Sequence, residues 1–143
     1  MSEPGYAKPT PLITEESRPY WDGLREKRLM LQRCGDCGRI RHYPRPMCDA
    51  CYSMRVEWIQ ASGTGTIHSW ATTHKAFHPG FRQDVPYTLA TVDLGEGVRI
   101  QARMQPAAAN PLRCGQPVRI GFEQVSEDLT LLVVLPDDTF LKV

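Results

Sequence analysis

The sequence predicts a mainly β protein that begins with one helix and ends in a small β-barrel. Three observations predict it. Four of the five cysteines lie between positions 34 and 51, in two C-x-x-C pairs. The stretch just before them is the one with helical spacing of apolar residues. From position 56 onward, five or six short alternating stretches follow one another with small turns between them. We therefore divide the chain into residues 1–16, 17–31, 32–55 and 56–143.

The first two parts are interpreted as an extended arm and a helix. Residues 1–16 contain three prolines and one glycine and show no periodicity, so we expect an extended arm that can become ordered on a partner. In residues 17–31, "SRPYWDGLREKRLML", Ser17 can cap a helix and Pro19 suits its first turn. The apolar residues on one helical stripe are Tyr20, Leu24 and Leu31.

The third part predicts a metal site. Zn²⁺ prefers four ligands in tetrahedral geometry, and two C-x-x-C pairs supply four thiolates. Ten residues separate the pairs, which is enough for a hairpin that returns the second pair to the first, as in a rubredoxin-like zinc ribbon. The expected ligands are Cys34, Cys37, Cys48 and Cys51. A zinc ion with four cysteine ligands has no open position, so we expect a structural role. Redox chemistry and iron in the same site are the alternatives.

The last part reads as strand after strand. "YTLATVDL" and "VRIQARM" alternate apolar and polar residues on either side of "GEG" (95–97), which predicts a hairpin. "PVRIGFEQV" and "TLLVVL" follow, with "SED" (126–128) as the turn. Five or six short strands without intervening helices predict a small closed barrel of the OB-fold type. Gly63 and Gly65 suit the strong coiling of its first long strand.

Composition and charge limit the functional classes. Hydrophobic residues make up 41% of the 143 residues and charged residues 23%, as in ordinary globular proteins. No apolar run is long enough to span a membrane, and the first residues do not resemble a signal peptide, so we expect a cytoplasmic protein. The net charge of +1 divides into +5 for residues 18–55 and −4 for the remainder. The basic part favours an anionic partner, although a solvated surface would have the same composition.

Residues with catalytic potential do not form a recognisable set. Cys114 lies in a turn without the sequence signature of a nucleophile, which favours a structural thiol. His74 and His78 are four residues apart but lie around Pro79-Gly80, so no helix places them on one face. The long connection 73–87 mixes basic and aromatic residues and is a candidate binding loop.

The order of these parts resembles the zinc-ribbon/OB-fold family known as domain of unknown function thirty-five. The most specific stretches are the ribbon with "YPRPMC", then "EWIQASGTGTIHSW", and "PYTLATVDLGEGVR". The resemblance implies a small partner subunit of a thiolase-superfamily enzyme, such as a thiolase, a lipid-transfer-protein-like (retro-aldol) aldolase of steroid side-chain breakdown, or an acyltransferase. It implies a chain that is not itself the catalyst, that scaffolds the large subunit in a complex with two copies of each, and that helps to bind coenzyme A.

Coenzyme A carries a pyrophosphate and a 3′-phosphate, for which Arg and Lys are the natural contacts. From charge and position, the candidate contacts are Arg39, Arg41, Arg45, Lys75 and Arg82. One alternative function is a single-stranded nucleic-acid-binding module, for which Trp58, Trp70 and Tyr87 could stack on bases. The net charge of −2 over residues 56–143 argues against it. The other alternative is an independent enzyme that uses Cys114.

Overall fold

The structure is a computed structural model that describes residues 8–105 and 112–136. The first seven residues of the expected arm lie outside this description, and residues 8–13 have no helix or strand. The elements in chain order are helix α1 (Arg18–Arg25) and strands β1 (Met30–Cys34), β2 (Ile40–Arg41), β3 (Val56–Gln60), β4 (Thr64–Thr73), β5 (Tyr87–Leu94), β6 (Arg99–Met104), β7 (Pro117–Gln124) and β8 (Thr130–Pro136). One 3₁₀ turn, Pro79–Phe81, lies between β4 and β5.

The observed helix α1 is shorter than the predicted span of residues 17–31, because a residue with left-handed backbone ends it. Lys27 has a φ of 60°, and the N–H of Arg28 donates to the carbonyl of Gly23 at 2.8 Å. This is the hydrogen-bond pattern of a Schellman motif, in which glycine usually occupies the left-handed position. Ser17 also differs from the prediction. Its side chain makes no capping bond to the helix and instead accepts from the N–H of Thr14 at 3.0 Å.

A three-stranded antiparallel sheet carries the cysteines, in the order β2-β1-β3. Strand β3 pairs with β1 along its whole length, from Cys34 opposite Val56 to Met30 opposite Gln60. The alternation in "VEWIQ" therefore marks a ribbon strand, although our division placed these residues with the barrel. Alternation defines a half-buried strand but not the sheet to which it belongs.

Strands β4 to β8 form a closed barrel in the order β4-β5-β6-β8-β7, and β7 pairs with β4 to close it. All neighbours are antiparallel except β6 and β8, which are parallel. This five-stranded closed barrel confirms the predicted OB-fold class. Alternate side chains of β5 are buried, and the barrel core includes Ile67, Val92, Ile100, Val118 and Val134.

One apolar cluster joins the helix, the ribbon and the barrel. The buried residues Leu24, Leu29 and Leu31 belong to the same apolar cluster as the barrel interior, so the base of the ribbon rests on the barrel core.

At the start of β4, a Cβ on Gly65 would lie 2.4 Å from the carbonyl oxygen of Asp93, so only glycine allows β4 and β5 to approach this closely. Within the described residues, no helix is long and apolar enough to cross a membrane.

Candidate metal centre and ligand surfaces

The four cysteines lie on two turns with the same backbone hydrogen bonds. In the first turn, the N–H of Cys34 donates to the carbonyl of Arg39 at 2.8 Å, and the N–H of Gly38 donates to the carbonyl of Cys34 at 3.1 Å. In the second turn, the equivalent bonds join Cys48 to Ser53 at 2.9 Å and Tyr52 to Cys48 at 3.0 Å. We call these the first knuckle (34–39) and the second knuckle (48–53). The first knuckle begins at the last residue of β1, and two residues separate the second knuckle from β3.

The sulfur atoms of the two knuckles converge on one point. The Cys34 and Cys51 sulfurs are 3.5 Å apart, those of Cys37 and Cys48 are 3.6 Å apart, and all four lie within 4.8 Å of one another. Sulfurs at about 2.3 Å from a tetrahedral zinc ion would be separated by about 3.8 Å. A disulfide would need about 2.05 Å, so the spacing fits a shared ion and not a covalent bond.

Backbone N–H groups favour thiolates at this cluster. The N–H groups of Cys37 and Asp36 each lie 3.4 Å from the Cys34 sulfur and lower the pKa of that thiol to about 6. The N–H groups of Cys51 and Ala50 lower the pKa of Cys48 in the same way. The Ser53 N–H lowers the pKa of Cys51, but the neighbouring thiols, Cys34 first, raise it to about 12. Four mutually close thiols thus need a cation before all can be thiolates.

Arg41 is placed differently from our prediction that it could contact coenzyme A. Its side chain is only 5% exposed. The guanidinium donates to the buried side-chain oxygen of Gln32 at 2.7 Å and to the carbonyl of Arg45 at 3.1 Å, while the N–H of Arg45 donates to the same Gln32 oxygen at 2.8 Å. Arg41 therefore holds the connection between the knuckles in place and is not available to a phosphate. Charge counted along a sequence cannot separate a buried arginine from an exposed one.

The other four candidates are on the surface, in two separate groups. Arg39 and Arg45 share one carboxylate, with distances of 3.4 and 3.8 Å to the two oxygens of Asp49. Lys75 lies 5.3 Å from the centroid of the Phe77 ring, and Arg82 is exposed after the 3₁₀ turn. No hydrogen bond or ion pair of the described residues links the two groups.

A groove of about 550 Å³ lies beside the barrel and was not predicted from the sequence. Asp84 lies in its wall and accepts from Lys8 at 2.7 Å and from Arg103 at 3.0 Å, and these contacts hold the pKa of the Asp84 carboxyl below its usual range. Phe81 and Tyr87 stack 5.6 Å apart in the same wall. The Arg103 side chain follows the outward alternation of β6 and is partly exposed, but no sequence signal connects it to Lys8.

The remaining candidates do not come together. Cys114 is an exposed thiol, and in the described part of the chain no hydrogen bond joins it to a histidine or a carboxylate. His78 accepts from the N–H of Gly80 at 3.0 Å and so stabilises its own turn. Of the described residues, the four cysteines are the group whose ligand atoms are close enough to share an ion.

Comparison with known families agrees with this architecture. Residues 21–57 match the family model described as the rubredoxin-like zinc ribbon domain of ChsH2, and residues 58–123 match the C-terminal OB-fold domain of ChsH2. The fold and the cluster define a zinc-ribbon/OB-fold protein. More particularly, the chain belongs to the DUF35 family, as its resemblance predicted. It is 31% identical to a DUF35 domain-containing scaffold protein of Pyrococcus furiosus, over 76% of this chain and 79% of that protein.

Three further similarities concern enzyme subunits. The solved structure titled Ltp2-ChsH2(DUF35) aldolase has a chain that is 32% identical, with a TM-score of 0.79, over 89% of this chain and 98% of that one. A probable enoyl-CoA hydratase alpha subunit of Thermomonospora curvata is 32% identical over 94% of this chain, which spans 41% of that protein's length. The benzoylsuccinyl-CoA thiolase subunit BbsA of Geobacter metallireducens is 28% identical, over 62% of this chain and 57% of that protein.

Proposed function

We propose that this chain is a non-catalytic accessory subunit that scaffolds the catalytic subunit of a thiolase-superfamily enzyme acting on an acyl-CoA. The observation that carries the proposal is the likeness to the Ltp2-ChsH2(DUF35) aldolase, because it extends over 98% of that chain. The name of the thiolase subunit BbsA supports the same class of assembly. The absence of a nucleophile paired with a base among the described residues is compatible with a partner that performs the chemistry.

Complex formation tests this proposal. The chain is co-expressed with each thiolase-like protein of the same organism, and the product is analysed by size-exclusion chromatography and native mass spectrometry. We expect a stable complex with two copies of each subunit. Turnover of the acyl-CoA substrate should be observed only when both subunits are present. Only free small chain would contradict the scaffold role. Turnover by the isolated chain that is lost in Cys114→Ser would favour an independent enzyme instead.

The four-cysteine cluster is proposed to hold one structural zinc ion. The sulfur spacing and the donated N–H bonds support this assignment, and four thiolates leave no position for substrate. Elemental analysis should find one zinc per chain, whereas iron would give a coloured protein with the same ligand set.

Five free cysteines suit a reducing compartment, so we place the protein in the cytoplasm.

Coenzyme A is proposed as a ligand shared with the catalytic subunit. Arg39 and Arg45 have unused N–H donors beside Asp49, and Lys75 and Arg82 lie exposed on the connection after β4. Each lost charge-assisted bond to a phosphate removes about 1.5–3 kcal/mol of binding free energy. Both groups are candidates because each combines two exposed cations.

Calorimetry on the assembled complex separates the two groups. The variants are Arg39→Ala/Arg45→Ala and Lys75→Ala/Arg82→Ala, and the probes are coenzyme A and its 3′-dephospho form. A group that contacts the 3′-phosphate should lose affinity for coenzyme A but not for the dephospho form. Unchanged affinity of both variants for both probes would remove these residues from the site.

A further inference from the structure

The two knuckles differ in the residue that follows the second cysteine of each pair. Gly38 takes a φ of 79° after Cys37, and Tyr52 takes a φ of 64° after Cys51. Glycine adopts left-handed backbone without strain, whereas the Cβ of tyrosine then crowds the following carbonyl oxygen. The second knuckle therefore holds a large side chain at the position where its twin has none.

Nothing in the described structure compensates for this strain. The Tyr52 side chain is 72% exposed, and its ring makes no hydrogen bond or ring contact with any described residue. The backbone bond from Tyr52 to Cys48 is the same bond that Gly38 makes to Cys34, so the knuckle does not require a tyrosine. A strained, exposed aromatic residue on a turn fixed by metal ligands is typical of a contact residue for another molecule.

Other apolar side chains are exposed near Tyr52. Of the eight large hydrophobic residues that are exposed in the described structure, five lie between positions 43 and 56. They are Tyr43, Met47, Tyr52, Met54 and Val56. Met54 and Val56 flank Arg55, whose side chain is 74% exposed and pairs with Asp36 at 2.8 Å. We call Tyr52, Met54, Arg55 and Val56 the knuckle patch.

We propose that the knuckle patch is the surface by which this chain docks on the catalytic subunit, with Tyr52 as the anchor. The occupant is a protein surface that offers an apolar pocket for the ring and carboxylates at its rim. The charge of this part of the chain favours an acidic partner surface, since residues 18–55 carry a net charge of +5 and Arg55 retains donors that its pair with Asp36 does not use. Aromatic side chains and arginines are the usual anchors of such interfaces. The inference rests on the proposed function and adds the site of contact.

Tyr52→Gly tests the proposal, because stability and binding should respond in different directions. Glycine relieves the left-handed strain, so zinc content should stay the same and the unfolding midpoint should stay the same or rise. The dissociation constant of the complex with the catalytic thiolase-like subunit should rise by about 30-fold or more. Tyr52→Phe keeps the ring and serves as the matched control, with affinity within about threefold of the original. Met54→Glu, which adds a negative charge to the patch, should also weaken the complex.

Each outcome has a defined meaning. If the unaltered chain forms the complex and Tyr52→Gly binds equally well with its zinc retained, the docking surface is elsewhere and the proposed function stands. If the unaltered chain forms no complex, the proposed function and the docking surface both fail. If Tyr52→Gly loses zinc, the ring supports the knuckle, and unweakened binding by Met54→Glu then overturns the proposal. A self-association of the isolated chain that Tyr52→Gly abolishes would assign the patch to a second copy and overturn it as well.

Discussion

Removal of the metal from the four-cysteine cluster should unfold residues 33–57 while the barrel stays folded. The expectation follows from the distribution of buried apolar side chains. Between positions 33 and 57, all of which are described, the buried apolar residues are Cys34 and Cys48, the proposed ligands themselves. In this stretch Ile40 packs against the apolar cluster and the His42 ring lies 5.3 Å from that of Tyr20, whereas the barrel contains a complete interior of its own. Chelation therefore removes most of what stabilises the ribbon and little of what stabilises the barrel.

The magnitudes decide the outcome. A structural zinc ion contributes on the order of 10 kcal/mol to folding of a small zinc domain. The ion pairs of the ribbon, such as Arg33–Glu57 and Arg55–Asp36, are exposed, and each contributes at most about 1 kcal/mol. The Arg41–Gln32 bond is buried, but hydrogen bonds to charged groups contribute about 1.5–3 kcal/mol. Together these interactions are too weak to replace the metal.

Hydrogen exchange measured by mass spectrometry, with and without a zinc chelator, measures the loss of structure in residues 33–57 directly. Amides in residues 33–57 should exchange at nearly unfolded rates without metal, while those in β5 and β7 keep their protection. Cys48→Ser should behave like the chelated protein and should lose partner binding, and Cys114→Ser, which alters a cysteine outside the cluster, should behave like the unaltered chain. Full protection of residues 33–57 after verified metal removal would refute the reasoning.

Three further changes have defined effects. Gly65→Ala places a Cβ 2.4 Å from the Asp93 carbonyl oxygen and should lower the free energy of unfolding by roughly 2–3 kcal/mol in urea titration; a neutral result would show that β4 can shift. Lys27→Gly relieves a φ of 60° and should raise that free energy by about 1 kcal/mol, and a loss would show that the Lys27 side chain matters more than its backbone. Burial lowers the pKa of His42 to about 4, so the folded chain binds fewer protons than the unfolded one and stability falls as pH drops from 6.5 towards 4. At pH 5.5, His42 accounts for a loss of about 1.4 kcal/mol in the free energy of unfolding relative to pH values well above 6.5. His42→Phe should not show this loss, and an equal pH dependence of stability in both chains would contradict the prediction.

The features that the sequence predicted well are those with a strong local signal. Two C-x-x-C pairs at a hairpin spacing predict one sulfur cluster, because a short chain cannot easily place them apart. Alternating residues and glycine turns predicted the five barrel strands, although the same alternation in β3 belongs to the ribbon. The helix was predicted too long, since its left-handed end residue is Lys27 and propensity does not mark a lysine as a terminator.

The features that the sequence could not predict depend on contacts between distant segments. The groove needs Lys8, Asp84 and Arg103, which come from three parts of the chain and meet only in the folded barrel. Burial of Arg41 depends on its position opposite Gln32 in the β1–β2 pairing. The strain at Tyr52 could have been suspected, because the two knuckles align and glycine stands at the equivalent position in the first.

The most direct test of the scaffold role is native mass spectrometry of this chain co-expressed with thiolase-like proteins of the same organism. We predict a heteromeric complex that contains one zinc per small chain. Free small chain with its zinc in place, under conditions where the large subunit is folded, would contradict it.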